Sequence, residues 1–325
     1  MSAYLGIEIG GTKLQLGVGN ADGPPLDELV RLDVIRSEGA AGILSSIEQA
    51  GQELCQRHSV EAVGIGFGGP LDASAGIVTR SHQVDGWEQF PLKSWCEEKL
   101  SIPAMLENDC NLASLAEARF GAGKGHGRVF YLTVGTGIGG GLVVDGELAG
   151  RGRPAIAEIG HLRPGVEAGS PEQTVEARAS GLGIEQRTRE IMATMSSEER
   201  NISILLGHCH GDPDQLTARE IALAALAGSQ LARQVTADAV ETLGWAMAQV
   251  VTLIAPDIVV VGGGVSMMDK SLFLEPLGQQ LERFVFPPLK GSYQVALPQL
   301  GEDVVVHGAL ALAAGYESWS SLGRG

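Results

Sequence analysis

The sequence predicts an α/β protein of two domains built on one repeated plan. The chain has 325 residues, enough for two domains that each bury a core. Apolar, β-branched runs alternate with helical patterns along it. Two glycine-centred hairpins of the same form lie about 125 residues apart, which reads as a duplicated half with a cleft between the copies.

Composition narrows the class. There are 46 glycines, without a collagen-like period, and 44% hydrophobic residues, so fibrous and disordered classes are excluded. The net charge of −16 argues against a nucleic-acid surface and against a polybasic membrane patch. Cys55, Cys96, Cys110 and Cys209 are far apart and form no CxxC pair, as expected of a reducing cytoplasm. The opening MSAYLGIEIGG does not resemble a signal peptide, and no run of 18 apolar residues exists, so no membrane span is expected.

The elements follow in order. YLGIEI, Gly10-Gly11-Thr12 and KLQLGVGN read as strand, tight turn and strand. A helix is predicted over about 40–58, then a strand over about 62–67. A short strand over about 102–106 ends at Glu107-Asn108-Asp109, where Asn108 or Asp109 stands at the N-cap of the next helix. That helix start favours an ionised Asp109, able to accept a proton from a hydroxyl. VFYLTV then leads into Gly135-Thr136-Gly137-Ile138-Gly139-Gly140 and LVVDGEL, the second hairpin.

Further helices are predicted over about 180–194, 218–227, 231–254 and 304–319. Residues 196–216, with GHCHGDPD, read as a polar surface loop or lid. The His208-Cys209-His210 tract fits chance histidines better than a metal site. Asp257–Val261 reads as a buried strand that delivers Gly262, Gly263 and Gly264 to a place where a flat base could lie on the backbone.

Two segments match GxGxxG, over 64–69 and 135–140. The first runs into Pro70-Leu71-Asp72 and the second into a strand. Neither opens a helix, which argues against a dinucleotide fold, and no GxxxxGK[ST] exists. Either hairpin alone fits an ordinary turn as well as a phosphate turn. Together, each with a threonine and the first with Lys13, they favour nucleotide phosphate.

Eight motifs in order resemble the ROK family of sugar kinases: EIGGTK, GIGFGGPLD, DGW, ENDCNLASLAE, TVGTGIGGG, EIGH, EARASG and APDIVVVGGG. The resemblance covers nearly the whole chain. It implies an actin/hexokinase-type ATPase fold, two RNase H-like domains with a cleft between them. The expected division is 1–117 plus 306–325 for the small domain and 118–305 for the large one. It also implies ATP and Mg²⁺ as cofactors, a small-molecule sugar and a homodimer.

By the same resemblance Glu8, Gly10, Gly11, Thr12 and Lys13 form the first phosphate motif. Gly135, Thr136, Gly137 and Gly140 form the second, and Gly262, Gly263 and Gly264 the adenosine side. Asp109 is the implied base, and Gly69, Asn108, Asp109, Glu158, His161 and Glu176 the implied sugar contacts. Carboxylates and imidazole suit vicinal hydroxyls, and the transfer itself rests on positioning and charge stabilisation.

Three positions depart from the family pattern. Glu167, Gly169 and Thr174 stand where members commonly carry zinc-binding cysteines, so no structural zinc is expected. Loop 163–175 must then be held by packing or hydrogen bonds. Glu8 replaces the usual Asp, and Gly68 replaces the usual Pro and loosens the loop beside the sugar. The resemblance implies phosphorylation of glucose at O6. Alternatives are a kinase for fructose or an N-acetylated hexosamine, or a non-catalytic regulator. A DNA-binding repressor is disfavoured by the charge and by a first phosphate strand that begins at Leu5.

Overall fold

The computed structural model describes residues 2–81, 83–150, 155–196, 198–199 and 203–316. The chain divides into two compact units. One comprises Met1–Tyr131, Gly141–Ile156 and Pro298–Gly325, the other Leu132–Gly140 and Ala157–Leu297.

In the first unit, β1 (Ala3–Ile9) pairs antiparallel with β2 (Lys13–Gly19), with Ile9 opposite Leu14. Gly10 N–H donates to Lys13 O at 3.0 Å and closes the turn. β3 (Glu28–Asp33) adds antiparallel to β2. The helix Gly39–Arg57 buries Ala40, Ile43, Ile47, Gly51 and Leu54, a spacing of three and four that makes one apolar stripe. β4 (Val60–Phe67) follows, parallel to β1. β5 (Leu71–Asp72) and β6 (Ile77–Val78) form a small hairpin. After the helix Leu92–Leu100, β7 (Ala104–Asn108) pairs parallel with β4. That strand begins two residues later than expected, after Pro103, and carries Glu107 and Asn108 inside it. The sheet order is β3-β2-β1-β4-β7.

The helix Val304–Ala314 is buried along almost its whole length. Strand glycines let it lie directly on the sheet. A Cβ on Gly6 would sit 2.6 Å from Val306 O, and one on Gly64 would overlap Ala309. Gly64 and Gly66 therefore serve helix packing inside β4, not a turn at its end. The expected extension of this helix to 319 falls partly on 317–319, outside the described residues.

Glu117, on the helix Asp109–Phe120, is fully buried. Its Oε1 accepts from Gln299 N–H and Leu300 N–H, each at 2.9 Å, and its Oε2 from Ala122 N–H at 2.8 Å. Three backbone donors satisfy the charge, and the contact fixes residues 299–300 where the chain re-enters this unit.

The second sheet contains β8 (Arg128–Val134), β9 (Ile138–Val144), β10 (Glu147–Leu148), β11 (Ile258–Gly262) and β12 (Gln294–Ala296). Its order, β10-β9-β8-β11-β12, is that of the first sheet repeated. The two glycine hairpins occupy equivalent places, as the duplication reading requires.

The second unit holds the helices Val175–Ala179, Gly181–Thr194, Ile204–His208, Ala218–Leu226, Gln230–Ile254 and Leu274–Phe284. Segment 196–216, expected to be irregular, contains the Ile204–His208 helix and a 3₁₀ turn, Pro213–Gln215. Leu205, Cys209 and Leu216 are buried, and these apolar anchors turn the polar stretch into packed structure. Residues 197 and 200–202 lie outside the described ones. Among the described residues no helix is long and apolar enough to cross a membrane.

Candidate active site

The first unit places Asp109 at the first turn of the helix Asp109–Phe120, directly after β7. Asn108 is the N-cap. Its Oδ1 accepts from Cys110 N–H at 2.9 Å and Asn111 N–H at 3.3 Å, which leaves its amide N–H₂ available to a ligand. Asp109 Oδ1 accepts from Cys110 N–H at 2.8 Å. Burial pushes the Asp109 carboxyl up to about 6, and the nearby Glu8 charge adds to this while the Cys110 N–H opposes it. The helix start favours the ionised carboxylate; desolvation raises the carboxyl against it, yet at about 6 it remains mostly ionised at neutral pH.

Beneath Asp109, Glu107 is buried and raised by desolvation. Its Oε1 accepts from Asn108 N–H and Asn111 Nδ2, both at 2.9 Å. This carboxylate fixes the strand-to-helix junction from below. Gly68 borders Asp109: a Cβ there would lie 3.0 Å from Asp109 Oδ2. Gly68 N–H also donates to Ile9 O at 3.0 Å, a bond a proline could not make. A Cβ on Gly69 would meet the Phe67 ring at 2.9 Å. Trp87 of the DGW motif is buried edge-on to Phe67, with centroids 5.1 Å apart, and so backs this loop.

Glu8 ends β1 beside the first turn. Gln15 Nε2 donates to Glu8 Oε2 at 2.6 Å, and Lys13 Nζ pairs with Glu8 Oε1 at 3.3 Å. Burial raises the Glu8 carboxyl; the Lys13 charge opposes that. Gln15 is fully buried, and its Oε1 accepts from Arg31 Nε at 2.8 Å. Arg36 Nε donates to Gly11 O at 3.2 Å. The N–H groups of Gly11 and Thr12 make no hydrogen bond among the described residues.

The second unit repeats that economy. Gly135 N–H donates to Gly137 O at 2.9 Å, and Gly181 N–H to Gly135 O at 2.7 Å. The N–H groups of Thr136 and Gly137 are left without a partner among the described residues. Gly140 is buried within β9. Gly262 ends β11, and Gly263 has φ of +88° with Val134 O only 2.5 Å from where a Cβ would stand. Only glycine fits both the conformation and the approach.

A cavity of about 630 Å³ opens from this turn, lined among others by Gly135, Thr136, Gly181, Glu185, Arg219 and Gly264. Its apolar rim is Leu182, Leu223, Leu226 and Met267, which are 53%, 44%, 49% and 78% exposed. Other exposed apolar side chains among the described residues, such as Ile35, Val166 and Leu253, do not line this cavity, whereas these four converge on it and suit a flat, apolar ligand face. Nothing in the local sequence pattern points to this rim. Each residue is a lone apolar position on a helix or turn, and only the fold gathers them.

Of the predicted sugar contacts, Glu158 caps the 3₁₀ segment Ile159–His161 and His161 ends it, with His161 Nε2 and Glu158 Oε2 3.9 Å apart. Gly160 lies against Ile138 O more closely than any Cβ would allow. Glu176 sits in the helix Val175–Ala179, and its Oε2 accepts from Ile138 N–H at 2.7 Å.

The zinc positions do not fit the metal. None of the three offers a thiolate, and Thr174 spends its hydroxyl as an N-cap, accepting from Ala177 N–H at 3.1 Å. The loop is clasped instead at its ends, where Val175 N–H donates to Leu162 O at 2.8 Å, and its buried Ala168 faces inward. Among the described residues no group of three His, Cys, Asp or Glu side chains could hold a metal.

A duplicated five-stranded sheet with a glycine turn in each copy is the actin/hexokinase-type ATPase fold, and comparison with known proteins agrees. The ROK family's sequence profile matches residues 4–315. The glucokinase of Thermotoga maritima is 32% identical over 315 residues, 95% of this chain and 96% of that protein. A ROK family glucokinase from Streptomyces griseus, solved in complex with glucose and AMPPNP, is 33% identical. It superposes with a TM-score of 0.77 over 96% of this chain and 99% of that one. The ROK hexokinase from Thermus thermophilus, 28% identical, gives a TM-score of 0.80 over 98% and 99%. The chain belongs to the ROK family, and its class is that of an ATP-dependent sugar phosphotransferase.

Proposed function

We propose that this enzyme transfers the γ-phosphoryl group of ATP to O6 of glucose, with Asp109 as general base. The observation that carries the reading is the Asp109 carboxyl, held up to about 6 by burial at the start of a helix. At neutral pH it is mostly ionised yet basic enough to take a hydroxyl proton, the compromise general-base catalysis favours. As the sugar oxygen bonds to the γ-phosphorus, its proton passes to Asp109. The bond from phosphorus to the bridging oxygen breaks, and ADP leaves.

The other residues bind and orient. The free N–H groups of Gly11, Thr12, Thr136 and Gly137 suit phosphate oxygens, with Gly10, Gly135 and Gly140 shaping the turns and Lys13 supplying a cation. Gly262, Gly263 and Gly264, with the apolar rim, suit the adenosine. Gly69, Asn108, Glu158, His161 and Glu176 suit the sugar hydroxyls. Glu8 is the carboxylate that fits Mg²⁺, reached through water because both its oxygens already have protein partners. The metal supplies charge neutralisation on the terminal phosphates. The reading extends to a cytoplasmic homodimer without nucleic-acid or membrane partners.

An ATP-coupled assay over a panel of hexoses tests it. Glucose is expected to give the highest kcat/KM and a 6-phosphate product by NMR. A higher kcat/KM for fructose or an N-acetylated hexosamine would reassign the substrate. Sugar binding without turnover on any member would replace the kinase by a sensor.

A further inference from the structure

The sugar-side and nucleotide-side motifs of the second unit meet at a single residue, Ile138. Its N–H donates to Glu176 Oε2 at 2.7 Å, and its C=O is covered by Gly160. Ile138 directly follows the turn Gly135–Gly137 and opens β9. A Cβ on Gly137 would lie 2.6 Å from the same Glu176 oxygen, so glycine there leaves the carboxylate its place. On the other side Gly181 N–H holds Gly135 O. The helix carrying Glu176 is itself seated: Ser180 N–H donates to Glu176 O at 3.0 Å, and Gly183 lies close enough that a Cβ would be 2.9 Å from that oxygen. Glu176 Oε1 makes no hydrogen bond among the described residues.

We propose that Glu176 is a positioning residue for the nucleotide turn as well as a sugar contact. One oxygen fixes the turn through Ile138 N–H, and the other remains for a sugar hydroxyl. Sugar and nucleotide binding are then coupled through this one carboxylate. The inference rests on the sugar-kinase reading of both motifs. Its physical basis is that a charge-assisted bond to backbone is strong and directional, while the turn has few other restraints. By linkage, whatever coupling the carboxylate carries must appear equally in both directions.

Two substitutions separate the roles. Glu176→Gln keeps an acceptor for Ile138 N–H and drops the charge. Glu176→Asp keeps the charge and withdraws it by one methylene. Binding of AMPPNP is measured by calorimetry without sugar, then with saturating glucose, on variants whose melting temperature matches the wild type. Without sugar, Glu176→Gln is expected to stay within about threefold of wild type and Glu176→Asp to bind about tenfold more weakly. The factor by which glucose tightens AMPPNP binding should fall towards one in Glu176→Asp. If Glu176→Asp does not fold, Gly137→Ala perturbs the same contact from the turn. It should weaken glucose binding as well as AMPPNP binding.

Equal sugar-free AMPPNP affinity in every variant would overturn the inference and leave Glu176 a sugar contact alone. Tighter AMPPNP binding in Glu176→Asp would also overturn it, because the carboxylate would then be competing with phosphate for Ile138 N–H. A wild-type protein that binds no AMPPNP would overturn the kinase reading itself, and this inference with it.

Discussion

Asp109→Asn should abolish turnover and stabilise the protein. The folded carboxyl titrates at about 6 against an ordinary value of 3.8. The native state therefore holds a proton that the unfolded chain has already lost between those values. Stability falls as pH rises through that window. A gap of about two units corresponds to about 3 kcal/mol of destabilisation once pH exceeds the folded value. The amide cannot ionise, its oxygen can still accept from Cys110 N–H, and it is nearly isosteric. For a chain of this length about 3 kcal/mol is about 4 °C in Tm. Melting curves of both proteins from pH 4 to 8 test this. The variant's advantage should be small near pH 4, grow to about pH 6 and then level off. Turnover should drop by at least about a hundredfold, while wild-type kcat/KM rises about tenfold per pH unit below about 6 and then flattens. A Tm difference independent of pH, or a variant less stable than wild type at pH 7, would refute the burial argument. Retained turnover would remove Asp109 from the base role.

Three further outcomes are expected. Gly68→Ala sets a Cβ 3.0 Å from Asp109 Oδ2 and should lower kcat several-fold with Tm nearly unchanged; Gly68→Pro, which also loses the bond to Ile9 O, should be the less stable of the two by about 1 kcal/mol in denaturant titration. Glu117→Ala removes the buried acceptor of three backbone N–H groups and should cost about 2 kcal/mol or more, whereas Glu117→Gln, which keeps one acceptor oxygen, should cost less. Metal analysis of the purified protein should find no stoichiometric zinc, and chelation should leave Tm where it was; a bound zinc at His161 would contradict the donor chemistry of the loop.

Both hairpins were legible because a turn between two apolar strands has a short list of tolerated residues, and Gly10-Gly11-Thr12 and Gly135-Thr136-Gly137 satisfy it. Strand β3 was not, since ELVRLD lies at a sheet edge with half-exposed side chains and shows weak alternation. The helix Leu274–Phe284 was disguised by Pro276 and Gly278. Proline is tolerated there because the first helical turn needs no intrahelical N–H partner. In β4 glycine marks the approach of the helix Val304–Ala314, a contact about 240 residues away in sequence that no local pattern encodes. Candidate site residues can be read off the motifs one by one, but their mutual restraints cannot. That Glu107 secures Asn108, that Gln15 holds Glu8 and that Glu176 reaches Ile138 depends on register and on where each strand stops.

The two copies of the turn solve the same problem with different chemistry. In the proposed reading an acidic protein holds a polyanion, and among the described residues each turn leaves two adjacent backbone N–H groups unpaired. In the second copy Gly181 and Glu176 restrain the turn, the latter through the N–H that follows it. The first copy instead has Glu8 at its strand end, where an uncompensated carboxylate would repel phosphate. Gln15 and Lys13 occupy both its oxygens, so the charge is paired before any ligand arrives, and Arg36 adds a second cation at Gly11 O. The longer side chain at position 8 matters for this reason. It reaches Lys13 and Gln15 together, and what the turn then offers a phosphate is set by its N–H groups rather than by its net charge.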